Sequence, residues 1–166
     1  MSSTPNPALY QLNRALSRDL VIAELEAMPG RLRRALHGKG DALLTRRASG
    51  EDWSAFQTLC HMRDATLVYA ARFRWIVFDD DPLLPNYNEN NWVAASMDVP
   101  SDVPAILDEI AASRADLVRV LSRLPEAGWL RTGRHEVAGT VVLEHYARHQ
   151  VAHEEMHLAQ IEAALA

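Results

Sequence analysis

The segment His153-Glu154-Glu155-Met156-His157 has the residue types and the spacing of a metal site. Histidines four residues apart project from one face of an α-helix, and in H-E-x-x-H peptidases such a pair holds zinc beside a glutamate that acts as base. A catalytic zinc site needs three protein ligands and an open position. The residues after His157 include no histidine, cysteine or aspartate, so the third ligand must lie upstream.

Two further histidines precede this pair at the same interval, His145 and His149. Each four-residue step turns only about 40° around a helix, so His149, His153 and His157 share one face while His145 drifts toward its edge. Burying an imidazole costs free energy unless the ring finds a partner, and a metal ion supplies partners for several rings at once. His149 therefore stays open as an alternative ligand.

His61 is the best upstream candidate for the third ligand. His37 and His135 lie near predicted loops, whereas His61 lies within a predicted helix and on its apolar face. One ligand from that helix and a pair from the last helix would make a three-histidine site. We therefore predict that His61, His153 and His157 bind one divalent ion.

Glu154 and Asp64 are the candidate catalytic carboxylates. Glu154 lies about 100° around the helix from His153, from where it could act as general base; otherwise it is a solvated or interhelical carboxylate. Asp64 follows the upstream ligand on the same helix and could accept a hydrogen bond from a ligand ring or orient a substrate. Alternatively, it pairs with an arginine such as Arg63 or Arg114.

Other kinds of metal site fit the sequence less well. A carboxylate-bridged di-iron bundle needs Glu-x-x-His pairs on two helices, and the helix that carries His61 has none. Structural zinc sites favour cysteines, and Cys60 is the single cysteine of the chain. Three imidazoles accept zinc or nickel, and also manganese or iron, and they leave a position for a substrate atom.

Length and composition indicate one globular domain. The 166 residues are 48% hydrophobic and 23% charged, with a net charge of −5. An acidic chain does not favour nucleic-acid or anionic-membrane partners, which attract basic surfaces. The start of the chain lacks the apolar stretch of a signal peptide, so we expect a cytoplasmic protein. We predict a single domain over residues 1–166, with 1–14 as a loosely ordered extension.

Helical periodicity predicts an all-α fold, an antiparallel four-helix bundle without a sheet. The first helix covers about 15–37, with a kink or break at Pro29-Gly30, and the second runs from Ser54, in a capping box with Gln57, to about Phe78. Ser101 and Thr140 are predicted to cap the third and fourth helices, which end near residues 123 and 164. Residues 38–52, 79–92 and 125–139 are predicted loops.

The inward faces follow from the apolar residues. On the second helix they are Cys60, Leu67, Val68, Ala71, Trp75 and Phe78, and on the fourth Val142, Tyr146, Met156 and Ala164. With Trp75 and Phe78, the second helix has more large apolar residues than one narrow core stripe can bury. The excess favours a homodimer. The 79–92 connection could line the mouth of the site through Tyr87, Asn88, Asn91 and Trp92.

Three segments together resemble a known family: "DWSAFQTLCHMRDA" (52–65), "SRADLVRVL" (113–121) with Arg114, and "GTVVLEHYARHQVAHEEMHLAQI" (139–161). Over residues 15–165 the chain resembles the DinB/YfiT-like metalloenzymes. The resemblance implies an up-down-down-up bundle, often dimeric, with a divalent metal on three histidines. Residue by residue, it assigns the ligands to His61, His153 and His157.

Two functions are consistent with such a site. The first is a metal-dependent enzyme acting on a small molecule, either a hydrolase or, as the resemblance implies, a transferase or isomerase that uses a low-molecular-weight thiol. The second is a non-enzymatic stress-response module in which the metal only holds two helices together. A cleft open to solvent would favour the enzyme. A zinc peptidase is not expected, because no segment is predicted to form the edge strand that aligns a peptide.

Overall fold

Four long helices form the framework of the molecule. The computed structural model describes residues 16–47 and 52–166, so the predicted extension at 1–14 lies outside the described residues. The α-helices of the described part are α1 (Arg18–Leu36), α2 (Asp41–Leu44), α3 (Ala55–Phe78), α4 (Glu89–Ala95), α5 (Val103–Leu121), α6 (Glu126–Trp129) and α7 (Leu143–Ala164). A single 3₁₀ turn, Pro100–Asp102, leads into α5.

Contacts between the long helices give their directions. Arg18, the first residue of α1, pairs with Glu144 in the first turn of α7 at 2.7 Å, so these two helices are parallel. Arg33, near the end of α1, pairs with Asp108, near the start of α5, so those two are antiparallel. Helices α1 and α3 each pack against both α5 and α7.

Helix α3 runs opposite to α7. Arg72, in the last two turns of α3, donates a 2.9 Å hydrogen bond to the hydroxyl of Tyr146 in the first turn of α7. The four long helices therefore run up, down, down and up, as the family resemblance implies. The predicted four-helix bundle is confirmed.

A small sheet closes one end of the bundle, so the prediction of no sheet is wrong. Strand β1 (Leu83–Leu84) pairs in parallel with β2 (Thr132–His135), which pairs antiparallel with β3 (Gly139–Val142). The sheet packs tightly on α3, since a Cβ at Gly133 of β2 would lie 3.0 Å from Ile76 of α3. Strands of two and four residues are too short for alternation to show in the sequence.

Of the three predicted helix caps, the one at Ser54 is present and those at Ser101 and Thr140 are not. The capping box is present, because Gln57 N–H donates to Ser54 Oγ at 3.2 Å and Ser54 N–H donates to the Gln57 side chain at 3.1 Å. Ser101 does not cap α5, because it lies inside the 3₁₀ turn: Val103 N–H donates to Pro100 O, and Pro104 has no N–H. Thr140 lies in β3, and α7 starts at Leu143.

The connections are more structured than the sequence predicts. Segment 38–52 contains α2, 79–92 contains β1 and the start of α4, and 125–139 contains α6, β2 and the start of β3. Helix α1, by contrast, continues through Pro29 without a break. Leu25 and Leu32 are fully buried on either side of the proline, and this packing stabilises a helix that lacks one backbone hydrogen bond.

Part of the predicted core face of α3 is wrong. Leu67, Trp75 and Phe78 are 50%, 39% and 67% exposed. The buried stripe runs instead through Tyr69 and Phe73, together with the predicted Cys60, His61 and Asp64. On α7, Met156 is 57% exposed because it lies on the outer edge of the stripe. No helix of the described residues is both long enough and apolar enough to span a bilayer.

A buried polar layer divides the core into two apolar clusters. Along α5, Ile110 belongs to one cluster and Leu117 to the other, and Arg114 lies between them. The Arg114 guanidinium pairs with Glu154 of α7 and donates to Thr66 Oγ1 of α3 at 3.4 Å. One side chain thus links three of the four long helices. Its ion pair is almost fully removed from water, with side chains 2% and 5% exposed.

This ion pair predicts a stability pattern. Glu154→Gln leaves the Arg114 guanidinium buried without its countercharge, so the free energy of unfolding should fall by about 3 kcal/mol in chemical denaturation. The double variant Arg114→Met/Glu154→Leu removes both charges and should recover most of this loss. Asp108→Asn, which breaks the exposed pair with Arg33, is the control and should change stability much less. Equal effects of Glu154→Gln and Asp108→Asn would contradict the prediction.

Candidate metal centre

His61, His153 and His157 converge where α3 crosses α7. His153 Nε2 lies 3.2 Å from His61 Nε2 and 3.2 Å from His157 Nε2. The three potential ligand atoms all lie within 4.8 Å of one another. His61 and His157 are buried and His153 is half-buried. The antiparallel crossing brings a residue near the start of α3 against the second half of α7.

The spacing of the three nitrogens fits one metal ion. Imidazole nitrogens bind zinc at about 2.0–2.1 Å, so two ligands of a tetrahedral site lie about 3.3–3.4 Å apart. The observed separations of 3.2 Å are close to this value. Repulsion between three charged rings at this distance would be severe, so the cluster requires neutral rings, which are the form that binds metals.

Burial holds these rings in the neutral form. Burial and the neighbouring His157 lower the pKa of His61 to about 4. Burial and the surrounding histidines lower the pKa of His153 to about 2. Burial also lowers the pKa of His157, against the opposing effect of its hydrogen bond to Gln160. At neutral pH all three rings therefore carry free lone pairs.

Gln160 orients one of the rings. Its side-chain oxygen lies 2.9 Å from His157 Nδ1, so Nδ1–H donates to it and Nε2 keeps its lone pair for a metal. Such partners of ligand imidazoles fix the tautomer and the ring direction. Sequence reasoning missed this role, although Gln160 is part of the quoted segment 139–161 and lies one turn after His157. The Trp53 ring lies 4.9 Å from that of His61 and packs against the cluster.

The two predicted catalytic carboxylates have other partners. Glu154 is buried against Arg114 and accepts a 3.2 Å hydrogen bond from Gln150. Burial raises the pKa of Glu154, and the adjacent Arg114 acts against that rise. Asp64 accepts a 3.0 Å hydrogen bond from Arg63, which is the alternative that the sequence left open. Neither carboxylate lines the pocket described below.

The remaining histidines lie outside the cluster. The His149 ring centroid is 6.3 Å from that of His153, compared with 4.4 Å for His157. Among the described residues, the group that could hold a metal is His61, His153 and His157, so the alternative His149 is not part of it. His145 is exposed, and His37 follows the end of α1.

The cluster opens into a pocket of about 400 Å³. Its rim includes exposed side chains, Glu89, Val137 and Met156, so the pocket reaches solvent. Of the predicted mouth residues, Tyr87 lines the pocket, whereas Asn88 caps α4 by accepting a 3.0 Å hydrogen bond from Asn91 N–H. Asn88, Asn91 and Trp92 are not among the lining residues. The pocket walls are Trp53, His61, Tyr69, Arg72, Asn86, Tyr87, Glu89, His135, Val137, Ala138, Val141, Tyr146, His149, His153, Met156 and His157.

Comparison with known proteins assigns the chain to a family. A family model described as the DinB superfamily matches residues 24–161. The chain belongs to the DinB superfamily. The match includes α3, α5 and α7, and therefore all three histidines of the cluster, and it confirms the resemblance that the sequence motifs indicate.

Individual DinB relatives are distant in sequence. "Putative metal-dependent hydrolase GK0616" of Geobacillus kaustophilus (strain HTA426) is 26% identical over 141 residues, which are 84% of this chain and 79% of the relative. A similarly named protein of Oceanobacillus iheyensis, OB0413, is 23% identical over 144 residues, 87% of this chain and 83% of the relative.

A solved structure matches the DinB bundle closely. The structure is described as "YfiT from Bacillus subtilis is a probable metal-dependent hydrolase with an unusual four-helix bundle topology". It has a TM-score of 0.86, covers 93% of this chain and 91% of YfiT, and is 21% identical in sequence. At this identity the likeness establishes the fold.

The cluster predicts how this DinB protein binds metal. His61→Ala should abolish stoichiometric binding of a divalent ion, while His149→Ala, one turn outside the cluster, should retain it. Gln160→Leu removes the acceptor of His157 Nδ1–H and should weaken binding by about tenfold or more, whereas Gln160→Glu should not. Metal content of untagged protein after a chelator challenge is the measurement. A full equivalent of metal in His61→Ala would overturn the ligand assignment and make His149 the next candidate.

Proposed function

We propose that the chain is a metal-dependent hydrolase of small molecules, with His61, His153 and His157 as the ligands of a single divalent ion. The observation that carries the proposal is the cluster of three Nε2 atoms at the wall of a pocket open to solvent. The names of the two relatives and of YfiT agree with it. A sealed cluster would instead favour a structural metal.

A divalent ion on imidazole ligands supplies Lewis acidity, which activates a nucleophile or polarises the bond to be broken. Zinc and nickel suit three imidazoles, and manganese or iron are also accommodated by such ligands. The residues of the chain supply the rest. Trp53 packs against the His61 ring at the pocket wall, and Gln160 holds the His157 ring in place.

We assign the proton-accepting role to Glu89. It is the carboxylate that lines the same pocket as the histidines, and its negative charge acts on His157. Glu154 and Asp64, the sequence-based candidates, are engaged with Arg114 and Arg63. Glu89 lies at the first residue of α4, which places it at the rim where substrate enters.

The pocket favours a small substrate over a polypeptide. Its volume of about 400 Å³ is at the lower end of ligand pockets, and the cluster lies at the wall of a concave site between helices. A low-molecular-weight thiol in place of water as the nucleophile stays a prediction from the family resemblance. The cytoplasmic location likewise stays a prediction.

The function is tested with metal-loaded protein and a panel of small esters, amides and lactones, each with and without an added thiol. We expect turnover that requires the metal, disappears in His61→Ala, and falls far more in Glu89→Gln than in Glu154→Gln. An unstructured polypeptide should stay uncut. Stoichiometric metal without turnover of any compound would favour the structural module, and cleavage of the polypeptide that is lost in Glu154→Gln would show a peptidase.

We also propose a homodimer formed through α3. Leu67, Trp75 and Phe78 leave an apolar strip on its outer face, 50%, 39% and 67% exposed. Sedimentation at micromolar concentration should give twice the chain mass of 18.6 kDa. Trp75→Glu should shift the protein to monomer, while Met156→Glu, an exposed apolar residue on α7, should not. A wild-type protein that sediments only as monomer rules the dimer out.

A further inference from the structure

The far end of the pocket contains a buried cation that pairs with no carboxylate of residues 16–47 and 52–166. Arg72 is 4% exposed. Its Nη1 donates a 2.9 Å hydrogen bond to the hydroxyl of Tyr146, and its Nη2 donates to the backbone carbonyl of Pro85. Both acceptors are neutral. Among the described residues, Arg72 Nε has no hydrogen-bond partner, and no carboxylate forms an ion pair with the guanidinium.

A second buried arginine, Arg114, shows the carboxylate partner that Arg72 lacks. Arg114 is 2% exposed and pairs with Glu154. A buried charge is costly unless it is paired, so Arg72 lacks the partner that Arg114 has. The difference between the two is their position: Arg114 lies in the sealed core, whereas Arg72 lines the pocket. Only at the pocket can a ligand supply the countercharge.

His135 adds a donor at the same end. Val137 N–H and Ala138 N–H both donate to His135 Nδ1 at 3.2 Å. With Nδ1 acting as acceptor, the neutral ring carries its proton on Nε2. Burial and the nearby Arg72 charge lower the pKa of His135, which favours this neutral form. A guanidinium beside a neutral imidazole N–H is a set of donors suited to an oxyanion.

Two aromatic rings connect this end to the metal centre. Tyr146, the partner of Arg72, stacks on Tyr69 with ring centroids 4.8 Å apart. The Tyr69 ring lies 5.9 Å from that of His153. His153 lies seven positions after Tyr146 on α7, which is about 10 Å along the helix axis. All of these residues line one continuous pocket.

We propose that the substrate is a small oxyanion-bearing compound, a carboxylate or phosphate, whose anionic group binds Arg72 and His135 while the bond to be broken reaches the three histidines. The part between the two groups lies against Tyr69 and Tyr146. This assignment rests on the proposed hydrolase function for its reaction. The anion site itself does not depend on the metal.

The test therefore uses metal-free protein, cleared of chelator, and follows the Arg72 Nε–Hε signal in nitrogen–proton correlation spectra. The signal is assigned by through-bond correlation, so no variant is required. Sodium glutarate and inorganic phosphate are the probes, and uncharged glutaramide is the control for glutarate. We expect a saturable shift with one or both anions and none with glutaramide. A response to phosphate alone would indicate that the substrate is a phosphate ester. A response to glutarate alone would indicate that it is a carboxylate.

Two variants test whether the Arg72 guanidinium itself binds the anion. Arg72→Lys keeps the charge but loses the planar fork, so anion affinity should fall by about tenfold or more. Arg74→Lys is the matched control, because Arg74 lies two residues away on the surface and pairs with Asp116; this variant should bind like wild type. An Arg72 signal that stays unmoved by both anions, or that moves only together with that of Arg74, overturns the proposal. Anion binding without turnover would instead leave this site standing and reject the hydrolase.

Discussion

A single buried ion pair determines how the last helix faces the rest of the bundle. Glu154 of α7 reaches Arg114 of α5, and Arg114 also contacts Thr66 of α3. Separating this pair would leave a charge in the core, so rotation of α7 about its axis is strongly disfavoured. His153 is the neighbour of Glu154, about 100° around the helix. Fixing Glu154 toward α5 thus fixes His153 and His157 toward α3, where His61 lies.

The histidine cluster lowers the stability of the bundle. Three neutral rings at hydrogen-bonding distance cannot all satisfy one another, and His61 Nδ1 is buried without a partner among the described residues. A core of this kind stabilises the bundle less than an apolar one would. The apolar clusters on either side supply the stability that the site lacks. A divalent ion bound there, as we propose, would give the three Nε2 lone pairs a common partner.

The spacing of residues in the sequence predicts those features that form within a single helix. The interval between His153 and His157, and the capping box of Ser54 with Gln57, are local, and the structure contains both. The role of Glu154 depends on which neighbouring helix it faces, and that is a property of the packing. The core face of α3 was misjudged for the same reason. Phe78 is apolar yet 67% exposed, because the bundle core ends before it.

The proposed metal ligands and the proposed anion site at Arg72 and His135 are built on different parts of the fold. His61, His153 and His157 lie on long helices locked by the core, which is the support that ligand geometry needs. Most of the opposite wall comes from the connections: Asn86 and Tyr87 lie before α4, and His135, Val137, Ala138 and Val141 lie in the β2–β3 hairpin. Connections tolerate sequence change better than packed helices do. If the three histidines bind a metal, the same helices could keep that site while the hairpin and the segment before α4 change the substrate end of the pocket, where Arg72 lies.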